Sequence, residues 1–372
     1  MNIQQRLKAN IGLENSSQSG FSLVELMVAL VLSSVLLIGL FQIFNSNRQA
    51  FSLQDGMARV QESGRISMEV LSREFRIAGY SGCATSGGGF DNFTNHVNPA
   101  GFDEATFQAA LNGFGGDNGL VGYDNVTDTT GTTLADIGLV VGTATGQIIS
   151  GTDVVTIQGV KACDGGKVIS GNANNANIKI ESSAACGLQQ NDIVIVSNCN
   201  TAEAFSIINN QNTGAPPASG DTIAHGLGGL NLVNKLNGNY DDESYIFKPS
   251  FTAFYIGNGA SGEPALFMQG LTHGGKASDF DAFEIAEGIE DMQFLYGEDT
   301  NSDGTVDAYV PADQVTDFNA VIAVRSRLLA RSQDRVTSQA QTYTFNDATV
   351  TAGDLRMRTP YETTNAIRNR LK

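Results

Sequence analysis

The hydrophobic pattern changes period twice along this chain, and each change marks a boundary. From Phe21 to Phe44 the sequence reads FSLVELMVALVLSSVLLIGLFQIF, a run of 24 residues with one charge, Glu25. About 20 apolar residues in a helix cross a bilayer core, so this run has membrane-spanning length. Residues 45–78 lack proline and place Met57, Val60, Gly64, Met68, Leu71, Phe75 and Ala78 at steps of three or four. That amphipathic stripe extends the same helix past the membrane, and Gly79 supplies its stop. A helix over 21–78 would be about 87 Å long at ~1.5 Å per residue.

After the helix the pattern shortens. Residues 82–136 are rich in Gly, Asn and Thr without a clear period and read as a long loop region with short elements. Strand-like runs then recur: 153–160, 177–182, 192–198, 205–208, 244–249, 251–257, 264–270, 292–297 and 320–332, most of them separated by Gly, Asn and Asp turns. The expected fold is α+β, with an antiparallel, β-rich globular head packed on the amphipathic half of a long N-terminal helix. The expected division is a cleaved leader at 1–20, a stem helix at 21–79 that is transmembrane over 21–44, and a head at 80–372.

Composition narrows the function classes. The 372 residues are 41% hydrophobic and 16% charged, which suits a folded chain, and the formal charge is −17. Nothing here neutralises a phosphate backbone, so nucleic acid is excluded as a partner, and anionic lipid headgroups are disfavoured. Arg6, Lys8 and Glu14 give the leader +1, so its removal leaves −18.

The order of signals at the N-terminus is inverted for a secretory leader, whose apolar stretch precedes its cleavage site. Here a polar, weakly basic segment ends at Gly20, ahead of the apolar run, so cleavage would leave the anchor on the protein. Glu25 then sits inside the span, where a carboxylate costs about 2.5–3.5 kcal/mol on insertion scales and usually has a partner. The next basic residue is Arg48, out of reach. A new α-amino group at Phe21 of a neighbouring copy would supply the missing charge and select register.

Gly20-Phe21-Ser22-Leu23-Val24-Glu25-Leu26-Met27-Val28-Ala29 resembles the type IV prepilin processing and methylation motif. The resemblance implies cleavage between Gly20 and Phe21 by a prepilin peptidase, N-methylation of Phe21, and a role for Glu25 in subunit docking. Tyr80-Ser81-Gly82-Cys83, DIVIVSNC (192–199), EGIEDMQFLYGEDTNSDGTVDAYV (287–310), AVRSRLLARS (323–332) and TTNAIRNR (363–370) are similar to the PilW minor pilins, while 84–150 is unmatched. The closing segment departs from the pattern around Pro360-Tyr361-Glu362.

That family implies a non-enzymatic protein of the inner membrane and then the extracellular pilus. Its partners would be the major pilin, other minor pilins in a tip and priming complex, and an adhesin of the PilY kind. A minor pseudopilin of a type II secretion system shares the processing motif and is the alternative; a third reading is an enzyme or ligand-binding head on a pilin stem.

No cofactor is required by this reading, but one loop offers ligands for a structural Ca²⁺. Asp299, Asn301, Asp303 and Asp307 alternate with a Gly at position 304, and Thr305 would add its carbonyl. The twelfth position is Val310 rather than Glu, and a strand precedes the loop; a solvated acidic turn has the same composition. His96, His225 and His273 fall in unrelated turn-like contexts, and no Ser or Cys belongs to a nucleophile motif. Arg325, Arg327 and Arg331 would line a strand face against the acidic head. Cys83, Cys163, Cys186 and Cys199 contain no C-x-x-C and read as two disulfides of an exported chain. Four cysteines permit three pairings; Cys163 with Cys186 and Cys83 with Cys199 is preferred.

Overall fold

A computed structural model describes residues 20, 22–80, 93–97, 119–171, 176–198, 200–211, 219–271 and 280–371. The first helix, α1 (Leu23–Ile77), is 55 residues long, as the uninterrupted pattern requires. The chain divides into two compact units, 1–54 and 55–372, and α1 contributes to both.

In the first unit, an 18-residue window of α1 is apolar enough to cross a membrane, and none of it is buried in the protein. Large apolar side chains from Leu23 to Phe44 are exposed. Such a surface is stable only in lipid or against other helices.

In the second unit, the stripe turns inward. Val60, Leu71, Phe75 and Ala78 are buried and Met68 partly so, in a core shared with Met292, Phe294, Tyr296, Val324 and Leu328. Each fully buried Leu or Phe contributes about 1.5–3 kcal/mol. The rings of Phe75 and Phe294 meet edge to face at 5.5 Å. Met57 is exposed instead, and Gly56, one turn before Val60, takes the inner position against Val336. Gly64 lies under the ring of Tyr361 with no room for a methyl group. The Tyr361 hydroxyl donates to the Val60 carbonyl at 3.4 Å.

The helix ends as its sequence predicts. Gly79 has φ +66°, a left-handed stop that costs glycine nothing. Its N–H donates to the Gln158 carbonyl at 3.0 Å, and the Asn369 side chain donates to the Ala78 carbonyl at 3.1 Å.

Two large sheets and a two-stranded hairpin form most of the rest of the described residues. The larger is built on β3 (Thr152–Gly171) and β8 (Tyr245–Asn258), which pair antiparallel and exchange neighbours halfway along. Towards one end the order is β2 (Leu120–Val126), β3, β8, β9 (Pro264–Leu271), β10 (Phe280–Glu287). Towards the other, β4 (Asn177–Ile180) and β7 (Asp221–Ala224) extend β3. There β5 (Ile193–Ser197), β6 (Ala202–Ser206) and the parallel β1 (Phe93–Asn95) extend β8.

The second sheet has the order β12 (Ala308–Val310), β11 (Ile289–Glu298), β13 (Val321–Arg335), β16 (Arg356–Ala366), all antiparallel. A separate hairpin joins β14 (Thr342–Phe345) to β15 (Ala348–Thr351). A short helix, α2 (Thr133–Asp136), follows β2.

The expected α+β, pilin-like fold class is therefore observed, with local differences. The runs at 244–249 and 251–257 are one strand, because Pro249 tolerates the extended backbone and the pairing passes through it. β2 lies inside the stretch read as loop. β10 and the hairpin are largely exposed and carry no clear period, and β16 keeps mostly part-buried polar residues on its inner face, so its alternation is not an apolar one. Pro360 fits β16 because that strand is a sheet edge, where a missing N–H costs no ladder bond.

Candidate functional site

The site is the start of α1. Ser22 is its N-cap: the Leu26 N–H donates to the Ser22 carbonyl at 3.2 Å, the first helical bond. The Ser22 N–H donates to Glu25 Oε2 at 3.0 Å, and the Glu25 N–H donates to Ser22 Oγ at 3.2 Å. This reciprocal pair is a capping box, which satisfies two of the free N–H groups at a helix start. Those groups have no water to turn to in a bilayer, so the arrangement matters more there than at a wet surface. The helix N-terminus also favours the carboxylate.

Ser22-x-x-Glu25 ahead of an apolar run carries the capping-box signature, a signal that the reading of Glu25 as an unpartnered acid passed over. Among the described residues no cation pairs with Glu25, and the cap uses only part of its lone-pair capacity. Gly20 is exposed. Phe21 lies outside the described residues.

The other expected sites fall elsewhere. In the 299–307 loop the carboxylates turn to the loop's own donors. Asp299 accepts from the N–H groups of Asp303 and Gly304 at 3.0 and 2.8 Å, and Asn301 Oδ1 accepts from Asp303 N–H at 2.9 Å. Asp303 accepts from Thr305 N–H at 2.8 Å. Asp307 accepts from the N–H and hydroxyl of Thr300 at 2.8 and 2.6 Å. The Thr305 and Thr300 hydroxyls, respectively, are the main reason Asp303 and Asp307 lie below the usual carboxylate range. Among the described residues no three acids, histidines or cysteines converge as a metal site.

Cys163 and Cys186 form a disulfide that ties the β3 bulge at 163–166 to the turn after β4. Cys83 and Cys199 lie outside the described residues. Arg327 is clamped by Glu362 at 2.8 Å and by Asp347 at 2.8 Å. Arg331 is held by Glu263 and Glu290 at 2.6 and 3.0 Å. Arg325 stacks over the Tyr309 ring at 4.2 Å. These are structural roles on the strand face where they were expected.

The histidines differ from expectation. His96 is buried and bonded to Glu203, whose carboxylate also accepts from Tyr240 Oη at 2.7 Å and Asn237 N–H at 2.8 Å. Burial pushes Glu203 up, but His96, Asn237, Tyr240 and Gly238 outweigh it and hold the group at about 2. His225 is buried beside Phe205 with neither ring nitrogen bonded, and burial lowers it to about 4. His273 lies outside the described residues. This network packs the head's interior.

Comparison with known families bears on both units. Residues 15–41 match the prokaryotic N-terminal methylation motif. Residues 253–369 match the family described as type IV pilus-assembly protein W, PilW. Together the two matches support a PilW-family type IV pilin. Among curated proteins and among solved structures, none matches it.

The matched stretch runs from within β8 through the whole second sheet, the sheet whose β11 and β13 bury the amphipathic half of α1. The PilW-like segments at 287–310 and 323–332 fall inside it and 363–370 nearly so, whereas 80–83 and 192–199 fall outside. The methylation motif and the apolar start of α1 fit a membrane-anchored pilin.

Proposed function

We propose that this pilin is a minor subunit that helps initiate type IV pilus assembly and occupies the priming complex at the pilus tip, without enzymatic activity. The observation that carries the reading is the methylation motif leading directly into a helix whose apolar residues are unburied, joined in one chain to a PilW head. Cleavage after Gly20 by a prepilin peptidase would create an ammonium at Phe21. Glu25 of an adjacent subunit, already turned to the helix start by Ser22, would receive it. Other minor pilins and the major pilin are the partners of that step, and an adhesin of the PilY kind is a further tip partner. The size of the second unit supports a tip position, since a helical lattice crowds large heads and a tip has no subunit above it.

Deletion of the gene tests this reading. Surface pili should be lost or sharply reduced while type II secretion of enzymes continues. Normal piliation with failed secretion would instead assign the chain to a secretion pseudopilus.

A further inference from the structure

The β14–β15 hairpin turns at Asn346 and Asp347, both in the left-handed region at φ 49° and 61°. This is the two-residue turn whose twist matches its strands. The pair flanking such a turn exchanges backbone bonds, and the ladder then alternates. Phe345↔Ala348 and Tyr343↔Val350 are therefore bonded pairs, and one step on the Ala352 N–H donates to the Gln341 carbonyl at 2.8 Å. Thr344↔Thr349 and Thr342↔Thr351 are the unbonded pairs, whose hydroxyls meet at 3.3 and 3.1 Å.

Thr349 and Thr351 consequently turn their N–H and C=O away from β14. Among the described residues no strand pairs with that edge. β14 is the strand on the side of β16, since the Gln341 side chain bonds both the N–H and the C=O of Arg358 at 2.7 Å. β15 is outermost, and all of its residues are exposed, Val350 by 41%. Such edges are ordinarily guarded by charge, proline or a bulge. Here the register is unbroken, and residues 336–353 hold no proline and one charge, Asp347, which Arg327 engages at 2.8 Å.

The edge is also self-complementary. A two-fold axis beside Val350 would set Thr349 opposite Thr351 of a second copy, so that the outward N–H and C=O groups of each meet those of the other. A contact between identical patches requires this match. The threonine face then continues across the joint as favourable cross-strand pairs. A chain of formal charge −17 repels its own copies, and an uncharged edge is where two can approach. We propose that the outer edge of β15 is a self-association site, pairing antiparallel with β15 of a second copy of this chain. Strands of four residues bury well under the roughly 1,200–2,000 Å² of a stable interface, so the pairing joins copies only where they are crowded.

Cysteine cross-linking of the full chain tests it, in concentrated nanodiscs that hold one chain each and so keep the α1 helices of two copies apart. Across an unbonded pair the α-carbons stand about 4.5 Å apart, within disulfide range. Val350→Cys should therefore form an intermolecular disulfide under mild oxidation, located by mass spectrometry between two substituted β15 peptides. The parent, with its native cysteines alone, sets the baseline. Thr344→Cys is exposed on the same hairpin but one strand in, about 14 Å or more from its counterpart, and should give about tenfold less. Adding Thr349→Pro to Val350→Cys removes one outward donor per copy and no bond to β14. It should cut the yield about fivefold or more while circular dichroism stays that of the parent. No disulfide above the baseline in Val350→Cys, equal yields from the two cysteines, or a yield indifferent to Thr349→Pro would overturn the inference.

Discussion

The seam between α1 and β16 can be tested at one residue pair. Gly64 is buried beneath Tyr361, and a β-carbon there would overlap the ring atoms Cε2, Cζ and Cδ2. Gly64→Ala should gain about 1 kcal/mol from helix propensity. It should lose about 1–3 kcal/mol from overpacking, because Tyr361 is tied through its hydroxyl to the Val60 carbonyl. The net expectation is destabilisation of about 1 kcal/mol. In a Tyr361→Ala background the clash vanishes, and the same substitution should stabilise by about 1 kcal/mol. The sign reversal is the signature, a coupling of about 2 kcal/mol. Thermal unfolding of the compact 55–372 unit, followed by circular dichroism with the disulfide kept oxidised, would read it as shifts of roughly 2 °C or less per kcal/mol at this size. Equal effects of Gly64→Ala in both backgrounds would refute the close packing of helix on strand.

Acid should destabilise the head through His225. Its folded value of about 4 lies below the unfolded 6.5, so the unfolded state binds the extra proton between them and stability falls as pH drops through that window, by about 3 kcal/mol in all. Asp153, raised to about 7 mainly by burial, has the opposite sign: its contribution is full at low pH and is lost as pH rises towards 7. His225→Leu should therefore flatten the acid limb of a pH–stability curve and Asp153→Asn steepen it; the same curve from parent and variants would contradict both.

The Cys163–Cys186 bridge closes a separation of 23 residues, so Cys163→Ser/Cys186→Ser should cost about 3 kcal/mol in denaturant unfolding, and no loss would remove its structural role. In calorimetric titration, structural calcium in the 299–307 loop would give a saturable heat in the parent that Asp299→Ala/Asp303→Ala loses; equal heats in both would remove the ion.

The parts legible from the sequence are those where one period governs a long segment. The apolar run at 21–44, the stripe ending in Phe75 and Ala78, and the Gly79 stop all stand where the pattern puts them. The buried strand β5 is legible as a near-continuous apolar run, and β13 by its opening Val and Ile and its alternation around Arg325 and Arg327. What stayed hidden depends on partners distant in the chain. β16 looks irregular because its face is set by α1 on one side and by ion pairs on the other, and β2 is recognisable only through its pairing with β3. His96 and Glu203 are 107 residues apart, and nothing local announces that they meet. The capping box, by contrast, is local and readable from Ser22 and Glu25 alone.

The account as a whole turns on whether the bond between Gly20 and Phe21 is cut to leave the anchor in place. Intact mass spectrometry of the chain purified from its native membrane or pili measures this directly. A protein beginning at N-methylated Phe21 is predicted, and a chain that retains residues 1–20 in cells with active prepilin peptidase would contradict it.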